Sequence, residues 1–150
     1  MANYYTQFSC LLDVGLPEKA QQALDIYTRM AAEGEDSNDP NSLWGGSLAF
    51  EVQIQDGPDS SVLWISDEDG GDVDSVITFV LRCAEELDLS GLWGFTYAET
   101  CSSPRVDAFG GGAHVVDLSA RQSIGWIGVS DWLSAALNGE DIDAVEALAQ

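Results

Sequence analysis

Apolar and polar positions alternate at the start of the chain. Phe8, Cys10, Leu12 and Val14 fall on one side, and Gln7, Ser9, Leu11 and Asp13 on the other. A period of two predicts a strand over 4–14 with one buried face. Gly15 ends it, and Pro17 and Glu18 suit a first helical turn. Ala20, Ala23, Leu24, Tyr27, Met30 and Ala31 then recur at helical spacing to about Ala32, and Gly34 marks the stop. The polar stretch from Glu33 to Gly46 reads as a loop. Leu48, Phe50, Val52 and Ile54 alternate with Ala49, Glu51, Gln53 and Gln55, which predicts a half-buried strand with a wet, partly acidic face. After the turn DGPDSS comes a strand from Val62 to Ile65 and then the acidic turn SDEDGGDVD. Asp72 is the expected N-cap of a helix whose apolar stripe is Val73, Val76, Ile77, Val80, Leu81, Ala84 and Leu87. Leu92 to Thr100 reads as a strand with Trp93, Phe95 and Tyr97 on one face.

Strand, helix, strand, strand, helix, strand is the order of two split β-α-β units. It predicts an α+β fold with a ferredoxin-like antiparallel sheet. Leu43-Trp44-Gly45 and Leu92-Trp93-Gly94 echo each other in the two halves. Right-handed crossovers put both helices on one sheet face and leave the other open to partners or to the C-terminal segment. Cys101 to Gly112 reads as a long glycine-ended loop. Ala113–Leu118 and Ser123–Val129 form a further hairpin, a helix begins at Ser130, and a short acidic helix closes the chain over 140–150. The expectation is a single domain with a core over 4–100 and a hairpin-and-helix appendage over 101–150.

Charge changes the picture most. Twenty-six Asp and Glu face five Lys and Arg, a net charge of −21. Hydrophobic residues at 45% are too many for a disordered tail. Direct nucleic-acid binding is disfavoured, because phosphates need Lys and Arg, and anionic membranes are disfavoured for the same reason. A basic protein surface or a divalent cation is the partner such a surface favours. The acids are also uneven: between Arg29 and Arg82 there is no base, while twelve acids fall there. Acidity serving only solubility or a salty cytoplasm would not need such a block.

Candidate chemistry is sparse. Three cysteines in dissimilar contexts, Cys10, Cys83 and Cys101, read as reduced thiols. The opening MANYYTQFSC has no basic region and no apolar run of signal-peptide length, which points to a cytoplasmic protein. The acidic turn fails the calcium-loop pattern: counted from Asp67, the glycine position holds Asp72 and the closing glutamate position holds Thr78. Gly110-Gly111-Gly112 lacks the lysine of a phosphate loop. Cys101, His114 and Asp117 can be written as a nucleophile set, but an odd separation puts His114 and Asp117 on opposite strand faces. Arg105, next to Asp107, reads as a structural ion pair that anchors its loop to the acidic body. No enzyme, cofactor or metal is expected.

The run GLWGFTYAETCSSPRVDAFGGGAHVVDL, with MANYYTQFS, resembles small acidic uncharacterised proteins of bacteria and their phages and plasmids, over most of the chain. The resemblance implies a mobile-element role, in which small acidic proteins block host nucleic-acid-binding machinery. It transfers no site residue. The leading expectation is a non-enzymatic nucleic-acid mimic or inhibitor that occupies a basic surface. Its candidate contacts are Glu33, Glu35, Asp36 and Asp39, Trp44 as an anchor, and Asp67, Glu68, Asp69, Asp72 and Asp74. The alternatives are a small-ligand or metal-binding domain on the Cys101–His114 loop, and an acidic coat with no partner. Helix capping accounts for Asp72 and Asp74 but not for Asp67, Glu68 and Asp69.

Overall fold

The computed structural model describes residues 3–36, 49–106 and 108–139, with the side chains of 34–36 outside the description. The elements are β1 (Tyr4–Asp13), α1 (Pro17–Asp36), β2 (Glu51–Ile54), β3 (Val62–Asp67), α2 (Val73–Leu87), β4 (Leu92–Cys101), β5 (Gly110–Asp117), β6 (Gln122–Gly128) and α3 (Val129–Leu137). All six strands join one sheet in the order β2-β3-β1-β4-β5-β6, and every pair is antiparallel. The α+β expectation holds at that level. The specific ferredoxin-like sheet with a separate appendage is not matched. The hairpin β5–β6 continues the sheet beyond β4, where a ten-residue strand would otherwise leave its polar edge bare.

β1 divides its pairing. Residues 4–7 pair with β4, and residues 8–13 pair with β3. Where the β1–β4 ladder stops, the Trp93 indole N–H donates to the Leu11 carbonyl at 2.7 Å and stacks on Phe95, which meets Phe8 edge-on.

Alternation decides the faces. Phe8, Leu12, Leu63, Ile65, Phe95 and Val116 are buried on one face, beneath α1 and α2. Positions of the other parity, Gln7, Ser9, Leu11, Trp64, Thr96 and Ala98, are exposed. Among the described residues nothing covers that face.

Two ion pairs cross between the helices, Arg29 of α1 with Glu86 of α2 at 2.7 Å and Arg82 of α2 with Glu33 of α1 at 3.0 Å. They fix α1 and α2 as antiparallel neighbours. Arg121 ties the β5–β6 turn to the end of α2 through Asp88, Glu85 and the carbonyls of Leu89 and Leu118. Three of the five basic residues are thus committed to holding elements together. Among the described residues Arg105 forms no ion pair, and Asp107 lies outside them.

The three cysteines are free thiols. Burial pushes Cys10 and Cys83 up to about 12, so neither is a thiolate at neutral pH. Native protein at pH 8 should therefore release one equivalent from a thiol-exchange reagent, from Cys101, and three in denaturant. Rapid reaction of all three in the native state would contradict the packing of β1 and α2.

Candidate functional site

The acidic turn is built by its own backbone. β3 runs to Asp67, opposite Phe8, and Asp67 accepts from the Asp69 N–H at 2.9 Å. The chain then lies along β1. The Asp69 carbonyl accepts from the Thr6 N–H at 2.6 Å, Gly71 donates to the Thr6 carbonyl at 3.0 Å, and the Gln7 amide donates to the Glu68 carbonyl at 3.0 Å. Glycine at 71 is required by this close approach: a Cβ there would sit 2.5 Å from the Phe8 ring. Asp72 caps α2, accepting from the Asp74 N–H at 3.1 Å and from the buried Ser75 hydroxyl at 2.9 Å.

These bonds separate the five acids by role. Asp67 and Asp72 spend oxygens on the turn and the cap. Glu68, Asp69 and Asp74 are exposed, and among the described residues none of the three has an ion-pair partner. Such a rigid backbone presents carboxylates with little ordering left to do on binding.

Glu33, by contrast, is compensated by both of its oxygens on Arg82, at 3.1 and 3.0 Å. Glu35 and Asp36 belong to the last turn of α1, and Asp39 and Trp44 lie outside the described residues. Because α1 and α2 are antiparallel, the end of α1 and the capped start of α2 lie at the same end of the helix layer. Ala49, where the chain re-enters β2, accepts from the Asp72 N–H at 3.1 Å. Helix direction thus puts the end of the α1 backbone and the turn before α2 at one end of the layer, a placement sequence spacing alone does not give.

A groove of about 660 Å³ opens beside the turn on the uncovered face. Asp67, Glu68 and Asp69 line it with Glu51, Trp64 and Ser9, and no Lys or Arg does so. Glu51 pairs opposite Ser66 on β2, and Trp64 is 39% exposed while its indole N–H donates to Ser9 Oγ at 2.7 Å. Glu51 and Trp64 were missed as candidates. Their signal was parity: both fall on the wet side of strands whose other side is buried.

The Cys101–His114 pair is not brought together. His114 stands opposite Phe95, six residues along β4 from Cys101, or about 20 Å at strand rise. His114 Nε2 and Ser123 Oγ share a hydrogen bond, and burial lowers the His114 pKa, opposed by the Asp74 charge. Gly110–Gly112 are not loop but the first residues of β5. Among the described residues no group of three His, Cys, Asp or Glu could hold a metal ion, and no helix is long and apolar enough to cross a membrane. No family model, curated protein or solved structure matches the chain.

Proposed function

We propose that this chain is a non-enzymatic acidic binding protein that occupies a basic surface of a partner protein, in the manner of a nucleic-acid mimic from a mobile element. One observation carries the reading. Glu51, Asp67, Glu68 and Asp69 line one groove beside an exposed indole with no base on it, while Arg29, Arg82 and Arg121 are tied up elsewhere. Carboxylates on a fixed backbone replace phosphates against Lys and Arg, and Trp64 supplies a face for a guanidinium. The arrangement of β1 between β3 and β4, with both helices on one face, further supports a split β-α-β core of ferredoxin-like kind as the scaffold.

An arginine-rich peptide is a sufficient probe. Calorimetry should show saturable binding that weakens steeply with salt. The D67N/E68Q/D69N variant should lose about tenfold or more in affinity. Neutralising three acids away from the groove, E18Q/D56N/D59N, makes the same change in net charge and should cost far less. Equal losses in the two variants would show that only net charge matters and would sink the assignment.

A further inference from the structure

A second groove, of about 520 Å³, lies on the helix-bearing side of the sheet, between the start of α2 and the β6–α3 corner. Tyr97, Trp126, His114, Glu99 and Asp74 line it. Its volume is in the range of small-ligand sites. The glycine run of β5 lies beside Tyr97, one of its walls. A Cβ at Gly112 would sit 2.7 Å from the Tyr97 hydroxyl and 3.0 Å from its ring, so a bare strand is what lets the Tyr97 ring lie across β5. Trp126 is 54% exposed on the same side of the sheet.

Carboxylates converge on these rings from three elements. The Glu99 carboxylate lies 3.5 Å from the Cβ position of Gly110. The Asp131 carboxylate lies 3.3 Å, and the Trp126 ring 3.4 Å, from that of Gly128. Asp74 comes from the first turn of α2. The Tyr97 pKa is raised by burial first, and then by Glu99, Asp131 and Asp74, which agrees with that convergence. No Lys or Arg lines the groove.

An anion does not fit so negative a groove, even at a helix N-terminus, because Asp72 and Asp74 already satisfy that end. A metal ion finds no group of three ligands among the described residues. An exposed indole and a half-buried phenol ring beside carboxylates suit a weakly hydrated organic cation, held by cation–π contact and by ion pairing at once. We propose that this groove binds an alkylated ammonium group, with Trp126 and Tyr97 against its methyl groups and the lining carboxylates Glu99 and Asp74 supplying the counter-charge.

The groove shares Tyr97 with the first one, but Asp67, Glu68 and Asp69 do not line it, so different substitutions test the two readings. Choline, Nε-trimethyllysine and the neutral isostere 3,3-dimethylbutan-1-ol are titrated while the Trp126 Nε1–H resonance is followed by NMR. At least one of the two cations should shift it saturably, with a Kd at or below about 1 mM, the affinity of a weak specific ligand. The isostere should not saturate. Tighter binding of trimethyllysine would assign the head group to a lysine side chain, and tighter binding of choline to a free small molecule. Trp126→Ala and Glu99→Gln, both at exposed positions, should each weaken binding about tenfold, read by calorimetry. Trp126→Phe should restore most of it, and D67N/E68Q/D69N should leave it unchanged. Absence of saturation with both cations, equal binding of the isostere, or full affinity in Trp126→Ala would overturn the proposal.

Discussion

Truncating Phe79 to alanine should remove about 3–5 kcal/mol of stability, the range for a fully buried aromatic. Phe79 is wholly buried in the middle of α2. Its ring lies 6.0 Å from that of Tyr27 on α1 and 5.6 Å from that of Phe50 at the entry to β2, and those two meet at 5.2 Å. The Tyr27 hydroxyl donates to the Phe50 carbonyl at 2.5 Å, which locks the cluster to backbone. The cavity left by alanine would therefore open where α1, α2 and β2 meet. It would not collapse easily, because each neighbour is held by a second contact. Domains of this size carry about 5–15 kcal/mol in total, and a chain of net charge −21 has self-repulsion to overcome as well. The variant should unfold at a much lower urea concentration with an unchanged slope, and molar salt should restore part of the loss by screening. Phe79→Leu keeps most of the volume and should cost no more than about 1.5 kcal/mol. A loss below 1 kcal/mol in the alanine variant would show that the three rings do not form a cooperative unit.

Periodicity revealed the elements but not their neighbours. The alternation in 4–14, 50–55 and 92–100 separates buried from wet faces, because one parity of each strand packs under the helices; Leu48 lies outside the described residues. Alternation carries no information about which edge a strand joins, so the hairpin β5–β6 read as an appendage when it is the continuation of the sheet. Punctuation was the second weakness. Gly34 reads as a stop, yet α1 continues through it to Asp36. The Glu33–Arg82 pair ties that last turn to α2, which offsets part of the roughly 1 kcal/mol that glycine costs a helix. β3 likewise extends into the acidic turn, because Ser66 and Asp67 still find partners on β1.

The candidate site was legible as chemistry and not as geometry. Asp67, Glu68 and Asp69 stood out because capping did not account for them. The structure assigns Asp67 a turn role and leaves Glu68 and Asp69 exposed, so part of the excess has a structural cause. Glu33 belonged to the same charge block and is spent on Arg82, a partner 49 residues away that no spacing rule suggests. Glu51 and Trp64 join the groove only because β2, β3 and β1 are adjacent, a fact of topology.

The glycine run supplies the sharpest test of the second groove's scaffold. Gly111 adopts φ of +138°, a region L residues rarely occupy, and its Cβ would collide with the Tyr97 carbonyl and approach Ala98 Cα at 3.1 Å. Gly112 would place a Cβ against the Ile127 carbonyl on one side and the Tyr97 hydroxyl on the other. Gly111 pairs with β4, and Gly112 lies between β4 and β6; in each the shortest approach is to backbone and cannot be relieved by a rotamer change. Backbone strain of about 1–3 kcal/mol and overpacking of similar size should make Gly111→Ala cost roughly 2–6 kcal/mol. Gly57→Ala separates the two causes. It too has positive φ, at +109°, but nothing lies within 4 Å of its Cβ, so it should cost only the strain. Gly112→Ala lacks the positive φ and should cost only the clash. Hydrogen exchange should show where the damage falls: in Gly111→Ala and Gly112→Ala the amides of β5 and β6 lose protection first, because the strand must move off Tyr97, while α1 and α2 remain protected. Native protection of β5 in both variants would mean that the strand tolerates a side chain there, and that the glycines answer to something other than the Tyr97 ring.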